Sequence, residues 1–375
     1  MNYSIIVPVF NRPDEVDELL QSLCQQELKD FEVIIVEDGS KKPGKDVCDK
    51  YAGILDLHYY FKDNSGPGQS RNYGAERARG EWLIVLDSDV VLPPGYLKSV
   101  DDQTHLQPLP KGTGVDASAA PDSVKSASSP SSQGGAEGWV SFGGPDAAHP
   151  SFTPVQKAIS YSMTSFFTTG GIRGGKGKKL DKFFPRSFNM GIRREVYAEL
   201  GGFSRMRFGE DIDFSYRIVE AGYKTALIPE AWVWHKRRTD FRKFFRQVYN
   251  SGIARINLEK RHPGTLKLVH LLPTVFTLGV IGLLLVSLLG VLSSILIGFW
   301  GIVVAMLSLT PLLLYSGLIL VDSSIRNRSL WVGLLSVPAA FVQLMGYGLG
   351  FIESWWKRCV LKKDEFQAFE KNFYK

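Results

Sequence analysis

The sequence predicts an α/β domain built on a mostly parallel sheet, followed by helices that are apolar enough to cross a membrane. Three observations support this prediction. Short strands rich in β-branched residues alternate with helical segments near the N-terminus. Two of those strands end on carboxylates, and residues 268–356 are almost continuously apolar. Strands that alternate with helices in this way are typical of a parallel sheet covered on both faces.

The first elements follow from hydrophobic periodicity. The run YSIIVPV is short and rich in β-branched residues, which predicts a strand. Behind it, apolar residues recur at helical spacing after Pro13, a residue that suits the first turn of a helix. The predicted strands are residues 3–9, 31–37, 57–61 and 82–87, and the predicted helices are residues 11–26 and 68–79.

The later elements are separated by low-complexity sequence. Residues 107–137 are dominated by Ser, Ala, Gly and Pro without an aromatic residue, which predicts a flexible insertion. Residues 170–182 are glycine-rich and basic, which predicts a second mobile piece. Between and after them we expect a strand and short helix within 186–203, a helix that opens on acids within 208–223, and a last pair of strands within 225–235.

Carboxylates follow two predicted strands at their carboxyl ends, where sheets of this kind bind ligands. Asp38 ends the second strand, and Asp87 and Asp89 end the fourth with one serine between them. Like charges this close repel, and a carboxylate leaves water at high cost unless it is paired or coordinated. Asp87 and Asp89 therefore either cap a turn, as Asp often does, or bind a cation.

The positive charge is concentrated in residues 236–267, here called the basic collar. The chain carries +6 overall, and the collar has ten Lys and Arg against two acids, which leaves −2 for the remainder. A helix here would be typical of a membrane interface, although a helix packed on its own domain shows the same pattern. Nucleic acid is not an expected partner, because no recognition motif accompanies the charge. The apolar face of this predicted helix consists of Phe241, Phe244, Phe245, Val248 and Tyr249.

The apolar region predicts membrane spans. Residues 268–321 are long enough for two spans with a turn near 290–294, and residues 330–356 for a third, ending at an interfacial Trp and Lys/Arg anchor. Three spans would separate residues 357–375 from a cytoplasmic domain, yet this tail holds six Lys/Arg against three acids. Positive charge favours the cytoplasmic side, so either this rule fails here or one segment is re-entrant or split.

The cellular location follows from what the sequence lacks. The N-terminus enters a strand pattern without a secretory signal, and three scattered cysteines form neither a disulfide framework nor a zinc pattern. We expect a multi-pass protein of the inner (plasma) membrane with a cytoplasmic N-terminal domain.

Six pieces of sequence follow one another within residues 3–235: SIIVPVFNR, VEDGS, NSGPGQSRNYGAERARGEWLIVLDSDV, FNMGIRREVYAELGGF, GEDIDFSYRIVEAGY and IPEAWVWH. In this order they resemble glycosyltransferase family 2, the inverting enzymes with the GT-A fold. A lone D-x-D string would be weak evidence, but six pieces in family order make chance a poor explanation.

The resemblance implies a metal-dependent donor site. A nucleotide-sugar donor leaves as a nucleoside diphosphate, and a hard divalent cation held by carboxylates stabilises that charge. Asp89 would bind Mg²⁺ or Mn²⁺, with Asp87 on the ribose or the metal shell and His235 as a further metal ligand. By the same resemblance Pro8 and Val9 line the base pocket, Asp38 accepts from the base edge, and Arg71 lies near the nucleotide.

The resemblance also implies the acceptor chemistry. Inverting transfer needs a base that deprotonates the acceptor hydroxyl during in-line attack. Asp211 would be that base with Glu210 in support, against the simpler alternative of a helix cap. Asn189 falls on the acceptor side. Asp213 is expected to form only a surface pair with Arg217, four residues on.

These expectations define domains and a function. The domains are residues 1–235 (catalytic), 236–267 (membrane interface), 268–356 (transmembrane) and 357–375 (tail). The expected activity is a single hexosyl-type transfer to a membrane-associated, lipid-linked acceptor at the bilayer surface. A processive synthase is the alternative, but QVYN at Gln247 lacks the Arg-Trp of the processive Q-x-x-R-W pattern. A catalytically silent scaffold is the other alternative.

Overall fold

The protein, seen here as a computed structural model, is described over residues 1–105, 138–149, 151–170, 183–236 and 238–369. Its strands are β1 (Tyr3–Val9), β2 (Phe31–Asp38), β3 (Asp56–Lys62), β4 (Trp82–Leu86), β5 (Val90–Val91), β6 (Ser141–Gly143), β7 (Asp146–Ala147), β8 (Asn189–Arg193), β9 (Thr225–Leu227) and β10 (Val233–His235). Its α-helices are α1 (Pro13–Cys24), α2 (Lys45–Asp49), α3 (Pro67–Ala75), α4 (Tyr96–Thr104), α5 (Pro154–Thr164), α6 (Phe166–Thr169), α7 (Arg194–Glu199), α8 (Glu210–Glu220), α9 (Phe241–Arg261), α10 (Leu272–Ile297), α11 (Phe299–Asn327), α12 (Leu330–Trp355) and α13 (Glu365–Phe369).

A seven-stranded sheet in the order β3-β2-β1-β4-β8-β6-β9 forms the centre of the N-terminal part. β1 pairs in parallel with β2 and β4, and β2 pairs in parallel with β3. β8 runs antiparallel to both β4 and β6. A small second sheet, β5-β10-β7, lies beyond the end of β4. The predicted mostly parallel α/β architecture is confirmed.

Helices cover both faces of the large sheet because its strands are apolar on both sides. On one face Ile5, Val33 and Ile84 are fully buried with residues of α1 and α4. On the other face Ile6 and Leu83 pack with residues of α7 and α8. A parallel sheet that is buried twice needs this continuous apolar sequence.

The predictions for the two low-complexity segments and for the last pair of strands have different outcomes. The predicted insertion at 107–137 lies outside the described residues, as does the predicted mobile piece at 170–182 except for Gly170. The predicted last strand pair exists as β9 and β10, but the two strands join different sheets. β9 pairs with β6, whereas β10 pairs with β5 and β7.

Three helices in the described part of the chain, α10, α11 and α12, are long and apolar enough to cross a membrane. The turn between the first two was predicted near residues 290–294, which is wrong. The helix continues through this region, and the turn falls at Gly298, whose φ is +58°. Gly290 instead lies against the backbone of Gly301 and Ala305, so its missing side chain lets the two helices approach closely.

The apolar face of α9 packs against the protein's own helices. Phe244 and Val248 are buried with Ile159 and Met163 of α5, and Val342 of α12 lies beside them. The basic residues Arg242, Lys243 and Arg246 are exposed on the opposite side. The alternative of a helix packed on its own protein therefore describes this face, and a membrane can meet α9 only through its other surfaces.

The close approach of α3 to the sheet gives a stability prediction. A Cβ atom on Gly74 would lie 2.6 Å from Ile6 Cγ2 and 3.3 Å from Val36 Cγ2. Gly74→Val should lower the free energy of unfolding by about 1–3 kcal/mol, the usual cost of overpacking a core. Thermal melting of the full chain in detergent would measure it. Gly53→Val is the matched control, since no heavy atom lies within 4 Å of its Cβ position; equal melting temperatures for the two variants would contradict the packing argument.

Candidate active site

The candidate site lies at the carboxyl edge of the large sheet. The ends of β1, β2 and β4 meet there, because parallel strands end at the same edge of a sheet. The start of α8 and the end of β10 complete it, since His235 pairs with Val90 directly after the Asp87-Ser88-Asp89 turn.

Asp89 is the most heavily paired acid of the site. It is only 6% exposed. Its Oδ2 lies 3.0 Å from Arg12 Nη1 and 3.6 Å from Arg238 Nη1, and its Oδ1 lies 3.3 Å from His235 Nε2. Burial acts to raise the pKa of Asp89, but His235 and the two guanidinium groups outweigh it and hold the pKa below its usual range. The carboxylate is therefore ionised throughout the neutral range.

Arg71 joins the two acidic parts of the site. Its side chain comes from α3 and is 3% exposed. One terminal nitrogen lies 2.8 Å from Asp87 Oδ1 and the other lies 2.9 Å from Glu210 Oε1. The guanidinium also sits over the ring of Phe203, 5.2 Å from its centroid. Arg71 was predicted to lie near the nucleotide. In the structure it lies between Asp87 and Glu210 and contacts both.

Glu210 and Asp211 occupy the first turn of α8. Gly209 precedes them with a φ of +84°, a left-handed conformation that glycine adopts without steric cost. Asp211 Oδ2 accepts a hydrogen bond from Arg186 Nε at 2.7 Å, and its Oδ1 accepts from the backbone N–H of Ile212. Gly209, not Asp211, is the N-cap residue, so the helix-cap alternative does not describe the acid.

Burial and ion pairing move the two pKa values of this pair in opposite directions. Burial raises the pKa of Glu210, even though Arg71 acts against it. Burial also acts to raise the pKa of Asp211, but Arg186 outweighs it and the pKa is lowered. Neighbouring titratable groups with separated pKa values are characteristic of acid–base sites. Asp211 is accordingly the ionised partner, able to accept a proton.

The predicted base-pocket residues meet at the ends of β1 and β2. Pro8 and Val9 are the last residues of β1, with Pro8 beside Val36 and Val9 beside Glu37 in the parallel register. Asp38 is the last residue of β2 and is 4% exposed. It accepts hydrogen bonds from the backbone N–H groups of Ser65 and Gly66 and pairs with Lys62. Asp38 thus fixes the loop before α3.

Two residues differ from their predicted roles. Asp213 was expected to form a surface pair, but it is 2% exposed. Besides Arg217, it accepts hydrogen bonds from Ser204 at 2.7 Å and from His262 Nε2 at 3.0 Å, which ties α8 to the end of α9. Asn189 was expected on the acceptor side, but its amide is buried, accepting from Tyr96 and donating to the carbonyl of Ala231. Its amide therefore joins core segments.

Three arginines of the site escaped the sequence argument. Arg12 follows the first strand and Arg238 lies in the basic collar, and both reach Asp89. Arg186 precedes β8 and pairs with Asp211. A signal for Arg12 and Arg238 exists, because both follow strands that end at the site. No local pattern marks Arg186, since the pairing depends on how α8 approaches β8.

The residues present fit a divalent cation. Ligand atoms of Asp87, Asp89 and His235 lie within 4.8 Å of one another. Carboxylate oxygens with an imidazole nitrogen form a donor set that suits Mn²⁺ and also accommodates Mg²⁺. The neighbouring guanidinium groups show that this position already attracts positive charge.

The sheet, its crossovers and the acidic edge define a GT-A fold. The solved structure of a mannosyltransferase from Pyrobaculum calidifontis, in complex with GDP-Man and Mn²⁺, aligns with a TM-score of 0.53 and 13% identity, covering 95% of this chain and 88% of that one. At this identity the likeness supports the fold alone.

Family models extend the assignment from fold to family. The model of glycosyl transferase family 2 matches residues 4–101, and that of glycosyl transferase family group 2 matches residues 183–321. The chain belongs to glycosyltransferase family 2. The second match begins before β8 and ends within α11, so it includes Glu210, Asp211 and α10.

Individual relatives match a quarter to a third of the chain. A glycosyltransferase of Haemophilus influenzae is 41% identical over 104 residues, which are 26% of this chain and 32% of the relative. A poly(ribitol-phosphate) beta-N-acetylglucosaminyltransferase of Staphylococcus aureus is 33% identical over 132 residues, 33% of this chain and 23% of the relative. The chain thus spans a third or less of the length of these curated relatives.

The ion pair between Arg186 and Asp211 predicts a pH dependence. Arg186→Gln should raise the pKa of Asp211, because the change removes the opposite charge that holds this pKa below its usual range. A general base at Asp211 would work only when ionised, so the acidic limb of the pH–rate profile should move to higher pH. Arg194→Gln, at an exposed position of α7, is the control. If the acidic limbs of the wild type and of Arg186→Gln coincide, Arg186 does not influence the pKa of the group that limits the rate at low pH.

Proposed function

We propose that the chain is a membrane-anchored, inverting glycosyltransferase. It transfers one sugar from a nucleotide-sugar donor to a membrane-associated, lipid-linked acceptor with the aid of Mg²⁺ or Mn²⁺. One observation carries the proposal: buried Arg71 bridges Asp87 of the Asp87–Asp89–His235 cluster to Glu210, next to the ionised Asp211. The group that would bind the cation and the group that would accept the proton thus lie on either side of the same guanidinium.

The donor would bind along the sheet edge. Pro8 and Val9 would line the base pocket and Asp38 would accept from the base edge, while Asp87 and Arg71 face the ribose and diphosphate. The family match over residues 4–101 supports these assignments, because it covers all five positions. The Pyrobaculum mannosyltransferase binds GDP-Man and Mn²⁺, a nucleotide sugar and a divalent cation of the kind proposed for this chain.

A divalent cation would stabilise the charge that accumulates on the leaving diphosphate. Asp89, Asp87 and His235 are the residues that would hold it. Arg12 and Arg238 pair with Asp89 in the structure and add positive charge beside the same position. Together these side chains would hold the diphosphate in place as the bond to the sugar breaks.

Asp211 would take the proton from the acceptor hydroxyl. Arg186 keeps this carboxylate ionised and orients it, while Glu210 is held by Arg71 at the adjacent position. A single in-line displacement inverts the anomeric carbon, so one base suffices and no covalent intermediate is needed. This assignment distinguishes an enzyme from a silent scaffold, since a scaffold has no need for two separately tuned acids.

The proposed domains follow from these proposed roles. Residues 1–235 carry the chemistry, the basic collar (236–267) holds the site near the bilayer, residues 268–356 anchor the chain, and residues 357–375 form a basic tail. A single transfer is favoured over processive synthesis, because the Arg-Trp of the processive pattern is missing after Gln247. Product length would separate the two.

Metal dependence gives a direct test of the donor site. Asp89→Asn should abolish metal-dependent donor binding, because it removes the most buried carboxylate of the cluster. Calorimetric titration with a panel of nucleotide sugars, with Mn²⁺ and with excess chelator, would measure it. Asp49→Asn, an exposed acid on α2, is the control and should bind like wild type. Full turnover in excess chelator would refute the metal assignment.

The role of Asp211 is tested by Asp211→Asn. The carboxamide is nearly the same size, so donor affinity should change little while turnover falls about 10²- to 10⁴-fold, the usual cost of losing a general base. Melting temperature, donor binding and turnover should be measured on the same preparation. Exposed Asp102→Asn is the control. A normal rate per folded molecule would remove Asp211 from the mechanism and transfer the role to Glu210.

A further inference from the structure

The third apolar helix, α12, is packed differently from the other two. In the most apolar window of α10 and of α11, 17% of the residues are buried, against 44% for the window that covers α12. By length and composition alone all three helices could cross the membrane. An odd number of crossings would put the two ends of the chain on opposite sides. The contacts of α12 decide whether it crosses.

α12 runs parallel to α9 and in register with it. The Cβ position of Gly346 lies 2.6 Å from Val248, and that of Gly350 lies 2.0 Å from the carbonyl oxygen of Tyr249. Further along, Ser354 donates a hydrogen bond to the carbonyl of Ile253, and Arg358 donates to Asn257 at 2.8 Å. Between residues 248 and 257 of α9, each of these four contacts is made to a residue about 100 positions later. The constant offset means that the two helices lie side by side in the same direction.

α9 cannot lie across the hydrocarbon of a bilayer. Each Lys or Arg at the centre of a spanning helix costs about 2.5–3.5 kcal/mol. The charged residues of α9 are Arg242, Lys243, Arg246, Arg255, Glu259, Lys260 and Arg261. Because the second half of α12 runs beside α9, that half lies at the same depth, at the membrane surface and outside the hydrocarbon core. The first half packs on α5, where Val332 and Ala339 are buried with Ala158.

The segment after α12 returns to the catalytic domain. Ala368 and Phe369 of α13 pack on Ile253, with Phe208 beside them. Glu365 pairs with Arg261 at 3.1 Å. Phe208 directly precedes the Gly209 turn that presents Glu210 and Asp211, so residues up to 369 lie on the side of the active site.

The other two apolar helices form a hairpin whose base is at the catalytic domain. Near the end of α11, Asp322 accepts a hydrogen bond from Tyr161 of α5 at 2.7 Å. α12 meets this base: Ser336 bonds Ser323 at 2.6 Å, and Gly348 lies against Thr277. The tip points away from these contacts, with Ile295 82% exposed beside the Gly298 turn.

We infer that the chain crosses the membrane twice, through α10 and α11, and that α9 and α12 form a paired platform lying flat on the lipid surface. The occupant of the platform is the bilayer itself. Trp331, Leu334, Trp355 and Trp356 of its exposed rim are 47–60% exposed, and Trp is enriched where hydrocarbon meets water. This inference rests on the membrane anchoring in the proposed function.

The two-crossing arrangement accounts for the charge of the tail. Residues 357–375 hold six Lys/Arg against three acids, and the collar holds ten against two. With three crossings these basic segments would lie on opposite sides. With two, both lie with the active site, as positive charge near a membrane favours.

Cysteine labelling in the full chain tests the topology without reference to activity. Cys359, just after α12, is native and exposed. With Cys24 and Cys48 replaced by alanine, a membrane-impermeant maleimide is applied to sealed spheroplasts and to inside-out vesicles. Two further reporters are introduced singly after Cys359→Ser: Asp102→Cys on the catalytic domain and Ile295→Cys at the hairpin tip.

We expect Cys359 and Asp102→Cys to be labelled in the same preparation and Ile295→Cys in the other. Labelling of Cys359 with Ile295→Cys would establish a third crossing and overturn the inference. Labelling of all three from one side would also overturn it, because the hairpin would not cross. Should the cysteine replacements impair folding, the wild-type chain against Cys359→Ser gives the same comparison. A chain with this topology and no transferase activity would refute the proposed function alone.

Discussion

The buried guanidinium of Arg71 is the interaction on which the site depends. It comes from α3, whereas Asp87 follows β4 and Glu210 begins α8, so three separate elements meet at one charge. Removing one partner of a buried ion pair typically costs 3–5 kcal/mol, because the remaining charge is left uncompensated. The position of α3 is therefore constrained twice: by this charge, and by Gly74, which lets the helix approach the sheet.

The electrostatics of the cleft divide its acids into two groups with different work. Asp89 is surrounded by Arg12, Arg238 and His235, which keep it ionised and make its surroundings suited to a diphosphate. Asp211 is kept ionised by Arg186, whereas the pKa of neighbouring Glu210 is raised by burial. A transferase needs both conditions at once: positive charge where the leaving group departs and a proton acceptor where the acceptor arrives.

α9 links this chemistry to the anchor. Its C-terminal end is joined to α8 through the contact of His262 with buried Asp213, and Ala254 lies 3.2 Å from the Cβ position of Gly209. Its other surface packs along α12. The turn that presents Asp211 and the apolar helix α12 thus rest on the same helix, so the position of the active site relative to α12 is set by packing.

The sequence by itself determined the first four strands of the large sheet, the helices α1, α3 and α8, the acids at the strand ends and the apolar region, because these depend on periodicity and composition within a few residues. Only the tertiary structure decided which charges meet, since Arg71 and Glu210 are separated by 139 positions and Arg12 and Asp89 by 77. The same reason accounts for Asp213, whose spacing from Arg217 fits an exposed helix pair but whose burial depends on His262. The same reason accounts for α12. Hydropathy counts an apolar residue equally whether it faces lipid or another helix, and only the contacts of α12 with α9 show which of its residues face a helix.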